Sequence, residues 1–520
     1  MNRSANRAVI RLRRWIAAAL AMSLLLSACS KGGSGKESAG EPATIKVLYW
    51  SDQSFQMEYG MLFYATHPDI EIQVVNTNAI QSGEGDYNEK LDELIRKEKP
   101  DILLLSQDQY EKYAADGRLV SLESYITRDK FDLEGFVPGM VELLREKGGG
   151  ELYGLAPRFY SQAVYYNKDL FDRFGIEYPT DRMSWEELLN LAARFPTDGE
   201  GEDRVFGLYM MYAPSGVQPL AQQIGLTHGL RVLNPADKRV SLDTDSWARV
   251  YETAVKAVRS GALYKEDPAS FTGEIVYQDY LLRDPFIGGK AAMAIGPMYL
   301  LIQIREASGM LPDKAVNNWD LVTVPVDPAN PDYSPDMNFY DVFAINAEST
   351  NPDAAWKFIR YVHSDEFARV VSKSFMGQFP TRTKYIQDEE GRNLAAFYAL
   401  KPSGANLYEG ADDLPGDFYM QFDFIGNEEM QAVLNDEKTV REALASMQTR
   451  LQAVIDGAAE NPASGPNAFE FPGSGEVSEG SGSASGSAAS VPEDAEPVPA
   501  DAESVPDRAD AGAAGEGSAE

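Results

Sequence analysis

The segment LYGLAPRFYSQAVYYNKDLF (Leu152–Phe171) joins an extended aromatic stretch to the start of a helix. Residues 163–166 (AVYY) have the apolar character of a strand, whose successive side chains point to opposite faces. One of the two adjacent tyrosines should therefore point into a core. Asn167 is a typical helix N-cap, and Gly175 is a typical helix stop. The segment predicts a strand and then a helix, and the PRFY that precedes the strand (157–160) needs a separate explanation.

Upstream of this segment, strand-like and helix-like sequences alternate. TIKVLYW (44–50), IEIQVV (70–75) and DILLLS (101–106) read as strands. The segments between them, 54–68 and 87–100, carry apolar residues at helical spacing. This is the βαβαβ order of a parallel sheet with helices on its faces, so we predict an α/β fold. Ligands of such sheets lie beyond the carboxyl ends of the strands.

Later segments carry helix-start signals. Ser184 with Glu187 and Thr439 with Glu442 form capping boxes, and Asp245 can cap a third helix.

The part of the chain between the signal and the tail has about 415 residues, which is more than one hydrophobic core usually serves. We therefore expect two lobes.

The N-terminus has the pattern of a secretory signal. Five arginines precede an apolar run (15–26) that is too short for a comfortable membrane span. The run ends in LSAC, which resembles the lipobox of bacterial lipoproteins, and Cys29 is the only cysteine of the chain. We therefore expect a signal peptide at 1–28, a lipid on Cys29, a flexible linker at 29–43 and a location on the outer face of the cell membrane. The alternative is a buried free thiol; an intrachain disulfide is excluded.

The chain is strongly acidic, with a formal net charge of −33. Residues 461–520 consist of Gly, Ser, Ala, Pro and twelve acidic residues against Arg508 alone, so we predict a disordered acidic tail. The body is acidic as well. This charge argues against nucleic acid and against an anionic membrane surface as partners, which leaves the lipid as the only membrane contact.

The sequence contains no recognisable catalytic constellation. Its three histidines, His67, His228 and His363, are isolated, and neither H-E-x-x-H, G-x-S-x-G nor a Walker-type motif occurs. DTDSW (243–247) departs from a calcium-loop pattern after two positions. We therefore expect no enzyme, no cofactor and no metal site.

The collinear order of several segments resembles extracellular solute-binding protein family 1, the lipid-anchored receptors of ABC importers, mostly for oligosaccharides, in Gram-positive bacteria. The resemblance covers 44–457. The segments that carry it are KPDILLLSQDQYEKYAADGRLVSLESYI (99–126), LYGLAPRFYSQAVYYNKDLFDRFGI (152–176), MSWEELLNLAARF (183–195), FIGGKAAMAIGPMYLL (286–301), DVFAINAESTNPDAAWKFIRYV (341–362) and GQFPTRTKY (377–385).

The resemblance implies a two-lobed periplasmic-binding-protein-like fold, each lobe a mainly parallel sheet flanked by helices. LYGLAP (152–157) would be the first crossover between the lobes, a hinge strand, and NFYDVFAIN (338–346) the second. The first lobe would comprise 44–153 and 286–338, and the second 154–285 and 339–460. We expect a monomer that works with ABC permease subunits.

The residues expected to face the interlobe cleft combine aromatic rings with amide, carboxylate and guanidinium groups, which suit the apolar face and the hydroxyl rim of a sugar. In the family, Trp commonly stands where this chain has Tyr299, which offers a smaller stacking surface. The candidates are Trp50, Gln53, Gln107, Asp108, Met298 and Tyr299 from the first lobe, and Arg158, Tyr160, Tyr340, Asp341 and Gln378 from the second.

Several alternatives stay open at this point. Arg158 needs a partner, which could be Asp108, Asp341 or the ligand, and in the last case the ligand could be anionic. The favoured function is a receptor that closes its lobes over an oligosaccharide. A binding subunit that presents its ligand to a membrane sensor and an extracellular carbohydrate-active enzyme are the alternatives.

Overall fold

The computed structural model of the chain describes residues 42–460, apart from 82–85, 200–203, 212–215, 235, 266–275, 374–377, 389, 409–413 and 415–417. The predicted signal peptide, Cys29, which is expected to carry a lipid, and the predicted acidic tail lie outside the described residues. Within the described ranges, no helix is both long and apolar enough to cross a membrane.

The strands of the described part are β1 (Ala43–Tyr49), β2 (Ile70–Asn76), β3 (Ile102–Leu105), β4 (Gly154–Leu155), β5 (Arg158–Phe159), β6 (Gln162–Asn167), β7 (Phe206–Met210), β8 (Leu233–Asn234), β9 (Arg239–Val240), β10 (Ala291–Pro297), β11 (Trp319–Thr323), β12 (Tyr333–Ser334), β13 (Val342–Ile345), β14 (Phe379–Pro380) and β15 (Lys401–Pro402).

The helices are α1 (Asp52–Phe55), α2 (Met61–Thr66), α3 (Asn78–Gln81), α4 (Tyr87–Glu98), α5 (Gln107–Ala115), α6 (Glu123–Asp129), α7 (Met140–Lys147), α8 (Lys168–Phe174), α9 (Trp185–Ala192), α10 (Val217–Thr227), α11 (Asp245–Arg259), α12 (Tyr277–Arg283), α13 (Met298–Met310), α14 (Pro352–Val362), α15 (Asp365–Val371), α16 (Phe418–Leu434) and α17 (Val440–Glu460). A π-helical turn (Gln56–Gly60) joins α1 to α2, and 3₁₀ turns occur at Thr383–Tyr385 and Leu394–Phe397.

The first sheet has the strand order β2-β1-β3-β13-β4. Strand β1 pairs in parallel with both β2 and β3, which confirms the predicted βαβαβ unit. Strands β13 and β4 extend this sheet in antiparallel pairing. We call the part of the chain built around this sheet the first lobe.

The second sheet has the order β11-β6-β10-β7 and forms the centre of the second lobe. Strand β6 is antiparallel to both β10 and β11, and only β10 and β7 run in parallel. The expected mainly parallel arrangement is therefore wrong for this sheet, because β6 runs in the direction opposite to both of its neighbours.

The expected membership of two segments is also wrong. Strand β10, which we had assigned to the first lobe with 286–338, pairs in the second sheet, whereas β13, assigned to the second lobe, pairs in the first. Strand β4 likewise belongs to the first sheet. Both β10 and β13 are buried along their whole length. Their sequences are therefore uniformly apolar and do not indicate which sheet each strand joins.

The alternation of β6 divides its side chains between two apolar layers. Ala163 and Tyr165 pack into a core that is continuous with the first lobe, whereas Val164 and Tyr166 pack into the core of the second lobe. The sequence predicted one buried tyrosine in this pair, and both are buried because apolar side chains cover both faces of the sheet.

The predicted helix starts of α8, α9 and α17 are confirmed, whereas the cap expected at Asp245 is wrong. The Asn167 side chain accepts hydrogen bonds from the backbone at the start of α8, and Gly175 ends that helix with φ of 62°. Ser184 with Glu187 and Thr439 with Glu442 form reciprocal capping boxes. Thr244, one residue before the expected Asp245, caps α11.

We predict that Gly154→Ala destabilises the first sheet. A Cβ at this position would lie 2.7 Å from Val342 Cγ1 and 2.9 Å from the Phe343 carbonyl oxygen, so β4 and β13 would have to separate. Overpacking of this kind typically costs about 1–3 kcal/mol, which a urea-unfolding curve would measure.

The matched control is Gly309→Ala in α13, where an added Cβ would meet no atom within 4 Å. Because alanine is the better helix former, this variant should be as stable as the parent protein or more so, by up to about 1 kcal/mol. Equal unfolding midpoints for the two variants would contradict the proposed clash.

Candidate functional site

The chain passes between the two sheets three times, and the crossing segments lie side by side. The first crossing lies between β4 and β6, and the second lies between β11 and β13. The third follows β14, because the downstream 3₁₀ turn at Leu394–Phe397 packs on β6 and β11. Strands β5 and β14 pair antiparallel, and Tyr160 and Asn338 exchange two backbone hydrogen bonds of 2.9 Å each. All three crossings are thus joined through their backbones.

Aromatic side chains support the crossings from one side. The Phe159 ring stacks on Phe379 with a centroid distance of 5.7 Å, and Phe379 lies 5.1 Å from Phe397. Phe397 in turn meets Tyr165 of β6 at 6.0 Å. This column anchors the crossings to the core. Since side chains alternate along a strand, the neighbours of Phe159, namely Arg158 and Tyr160, point to the other side.

Arg158 forms a buried ion pair with Glu58. Its Nη1 lies 2.6 Å from Glu58 Oε2, and the two side chains are 9% and 14% exposed. The guanidinium carbon also lies 5.1 Å from the centre of the Tyr59 ring. Burial on its own would lower the pKa of Arg158, but Tyr59 and Glu58 raise it above its usual value. The partner that the sequence required is therefore an internal carboxylate that was not among the expected ones.

The π-helical turn positions Glu58. Tyr59 inside this turn is fully buried, and its ring packs against Phe343 and Phe367 at 5.3 and 5.7 Å. Glu58, the preceding residue, faces the first crossing and binds Arg158. Single π turns occur frequently at functional sites. This turn couples the first helix of the first lobe to the crossing segments.

Asp341 lies beside this ion pair, on the second crossing. Burial raises the pKa of its carboxyl to about 6, the positive charge of Arg158 opposes the rise, and the negative charge of Glu58 adds to it. The neighbouring Tyr340 is 55% exposed, and its ring centre is 6.2 Å from that of Tyr160. The structure thus brings together four of the candidates expected from the second lobe.

The first lobe presents another group of candidates at the carboxyl end of β1. The partly buried Trp50 follows this strand and stacks on Tyr49 with a centroid distance of 3.8 Å. Ser51 caps α1, which places the exposed Gln53 in the first helical turn. An aromatic face and an exposed carboxamide are therefore adjacent at this edge.

The third group follows β3, the parallel neighbour of β1. Ser106 caps α5 through a reciprocal box with Gln109, so Gln107 and Asp108 occupy its first turn. The Asp108 carboxylate is largely exposed, and one oxygen lies 4.0 Å from Lys147 Nζ. Because β1 and β3 end at the same edge of the sheet, the four first-lobe candidates at these ends share that edge, as predicted.

Three candidates differ from expectation or stand apart. Met298 is 2% exposed and packs in the core, so its expected contact with a ligand is wrong. Tyr299 is 41% exposed, but it follows β10 and therefore belongs to the second lobe, not the first. Gln378, partly buried, directly precedes β14 at the third crossing.

The sequence missed two polar residues at the crossings besides Glu58. The Gln162 side chain donates a hydrogen bond of 3.0 Å to Asp336, which links the first residue of β6 to the second crossing. Burial raises the pKa of Asp336, while hydrogen bonds from Ser334 and Gln162 oppose the rise. The only available signal was the position of Gln162 at the start of a predicted strand.

Known proteins resemble this chain over most of the described part. The family described as bacterial extracellular solute-binding protein matches residues 43–368. A Brucella abortus (strain 2308) protein, named as a binding protein, is 26% identical over 304 residues, which cover 57% of this chain and 68% of the relative.

Solved structures support the same assignment at the level of the fold. A sugar transporter of Rhizobium etli in an open conformation gives a TM-score of 0.56 at 20% identity, covering 79% of this chain and 99% of its own. The sugar-binding protein MalE of Xanthomonas citri gives 0.56 at 17% identity, with coverages of 80% and 98%. The predicted two-lobed, periplasmic-binding-protein-like α/β fold is confirmed. So is the expectation of a binding protein instead of an enzyme, and the chain belongs to the family of bacterial extracellular solute-binding proteins.

Proposed function

We propose that this protein is a lipid-anchored receptor that captures a carbohydrate between its lobes and delivers it to an ABC importer. The observation that carries the proposal is the arrangement at the crossings, where exposed aromatic and polar side chains of both lobes lie beside three paired chain segments. The two solved relatives described above are named for sugars, which supports the choice of ligand. The family is extracellular, and the lipobox-like LSAC motif supports an anchor on Cys29.

Closure of the lobes is the proposed mechanism. The crossing segments are hydrogen-bonded to each other, so they can turn together while the two sheets stay rigid. A sugar held by Trp50 and Gln53 of one lobe would gain contacts with Tyr160 and Tyr340 only when the lobes approach. A ligand that binds the closed state better shifts the population toward it, and the importer would recognise that state.

The charge at the crossings favours a neutral ligand. Glu58 already compensates the Arg158 guanidinium in a buried pair, and Asp341 adds a further acidic group next to it. An anionic solute would have to displace Glu58 or approach two carboxyl groups. A neutral carbohydrate, by contrast, can use Asp341 and the exposed carboxamides as hydrogen-bond partners.

A thermal-shift screen tests this function. The chain from residue 30 onward would be heated with neutral mono- and oligosaccharides, sugar phosphates, uronic acids and short peptides. A ligand at 100 times its Kd stabilises the folded state by about 2.7 kcal/mol, so one neutral sugar class should raise the melting temperature by several degrees. A response to phosphorylated solutes or peptides alone would retain the receptor and reject the sugar.

The ion pair can be tested by a double-mutant cycle. Glu58→Gln leaves the buried Arg158 charge unpaired and should cost about 3–5 kcal/mol of unfolding free energy, whereas the double variant Glu58→Gln with Arg158→Gln should lose much less than the sum of the single changes.

The control for this cycle is Arg182→Gln. This residue pairs with Asp332 through side chains that are 43% and 68% exposed, so its loss should cost less than about 1 kcal/mol. Additive effects of the Glu58 and Arg158 substitutions in urea unfolding would contradict the proposed pairing.

Asp341→Asn should change the pH dependence of stability. The folded-state pKa of about 6 lies above the pKa of an unfolded aspartate, so folding favours the protonated carboxyl. The contribution of this protonation to the stability of the folded protein is lost as the pH rises from about 4 to about 6. The asparagine variant should lose this pH-dependent change in stability, and at pH 7 it should be more stable than the parent protein by up to about 3 kcal/mol.

Melting temperatures between pH 4 and pH 8 would measure this effect. Part of the pH dependence of the melting temperature should remain in the variant, because burial also raises the pKa of Asp284 to about 6. Parallel curves for the parent protein and the variant would show that Asp341 does not take up the proton.

A further inference from the structure

A groove of about 420 Å³ lies on the side of the second lobe, and its described lining includes none of the predicted site residues. It lies between α16 and β7, an edge strand of the second sheet. We call it the side groove. The residues that line it include Arg204, Phe206, Leu263, Lys265, Met430 and Gln431. Aromatic and aliphatic side chains thus lie next to two cationic groups, a combination that suits an acidic segment with apolar anchors.

Arg204 contributes a hydrogen-bond donor to the side groove. Its Nη2 donates a hydrogen bond of 2.6 Å to the Gly261 carbonyl, and its guanidinium carbon lies 4.9 Å from the centre of the Phe206 ring. Its Nη1 is buried and has no hydrogen-bond partner among the described residues. Because buried polar groups in folded proteins are nearly always paired, this nitrogen indicates that the groove accommodates an acceptor, and a carboxylate is the strongest one for a guanidinium.

An exposed apolar face of α16 leads to the side groove. Met420 and Phe424 are 67% and 61% exposed, and their spacing of four residues places them on the same side of the helix. Asn427 and Gln431, which line the groove, continue this side over the next two turns. Single exposed apolar residues are common, whereas a contiguous pair that continues into a groove indicates a surface that another segment covers.

The C-terminal tail begins next to this face. A five-residue connection (435–439) joins α16 to α17, so the two helices are antiparallel neighbours. Glu429 of α16 accepts hydrogen bonds of 2.7 and 2.9 Å from Ser446 and Arg450 of α17. With this register, the last turns of α17 lie beside the first turns of α16, where Met420 is located.

The sequence of the tail contains one segment that matches the side groove. Among residues 461–520, the only aromatic side chains are Phe469 and Phe471, which flank Glu470. Two apolar anchors and one carboxylate are therefore adjacent in this segment, as the lining of the groove requires.

The segment is also within reach of the groove. The nine residues that follow α17, up to Phe469, can span about 30 Å. The way from the start of α16 to Gln431 is about 20 Å along the helix axis. The connection is therefore long enough to place the segment in the groove.

We propose that residues 469–471 of the tail dock in the side groove of the same chain, with the two phenylalanine rings on its apolar side chains and Glu470 beside Arg204. A segment attached by a short connection has an effective concentration in the millimolar range, which favours it over a second copy or a separate protein. A purely apolar occupant would leave the Arg204 donor unpaired, whereas Glu470 supplies a charge-assisted hydrogen bond. The inference does not depend on the identity of the ligand between the lobes.

Disulfide trapping in the chain from residue 30 onward tests the docking. This chain contains no cysteine, because Cys29 is the only one in the sequence, so introduced cysteines have no competitor. The test pair is Gln431→Cys in the groove with Ser474→Cys, three residues after Phe471. The reference pair is Gln431→Cys with Ser487→Cys, which is about twice as far from the end of α17. The rate of disulfide formation under mild oxidation is measured for both pairs.

Without docking, the test pair should react only about threefold faster than the reference pair, because collisions within a flexible chain fall roughly as the −3/2 power of its length. Docking should raise this ratio to about tenfold or more, since it holds the nearer cysteine at the groove. In Phe469→Ala with Phe471→Ala the ratio should return to about threefold. Arg204→Gln should reduce it in part, because the charge-assisted hydrogen bond is lost.

Val491→Ala with Val498→Ala is the matched control, since it removes apolar side chains from the same tail away from the docking segment, and the ratio should stay unchanged. A ratio of about threefold without further substitutions, or an unchanged ratio in the double phenylalanine variant, would overturn the docking. A covalent dimer in place of the intrachain disulfide would show that the groove receives the tail of a second copy, and would overturn docking within one chain.

Discussion

The architecture depends on the pairing of the three crossing segments. A chain that leaves one sheet for another exposes backbone amide and carbonyl groups, and unpaired buried groups of this kind destabilise a fold. Here the segments satisfy each other: β5 pairs with β14, and Tyr160 pairs with Asn338. The same pairing fixes where the side chains on either side of Phe159 point. Phe159 packs inward and its two neighbours point to the opposite side, where Arg158 meets Glu58, so the crossings and the candidate site depend on one set of hydrogen bonds.

The local elements could be predicted from sequence because their signals are local. The βαβαβ unit follows from residue periodicity, and the starts of α8 and α9 follow from Asn167 and Ser184, whose side chains bond to backbone groups within three residues. The sheet to which β10 or β13 belongs could not be predicted in this way. Both strands are buried on both faces, so neither has a polar side that would distinguish one sheet from the other.

The same distinction between local and distant signals applies to the candidate site. Trp50 and Gln107 are predicted from the general rule that ligands lie at the ends of parallel strands. Arg158 is predicted from its position, but its partner could not be predicted, since Glu58 lies in the middle of a helical segment one hundred residues earlier and is one of eighty acidic residues. A contact between two segments that are distant in sequence cannot be inferred from the residue spacing within either segment. The burial of Met298 was equally invisible, because methionine suits both a core and a binding surface.

The strand orders of the two sheets also determine how the protein can assemble. In the first sheet β13 lies between β3 and β4, so the N-terminal segment through β4 lacks an internal strand of its own sheet until almost two hundred further residues have been made. Strand β6 likewise waits for β10 and β11 on its two edges. Such distant contacts slow folding. Neither lobe is therefore a contiguous stretch of chain, so a cut at a single position cannot release either lobe as an independent module.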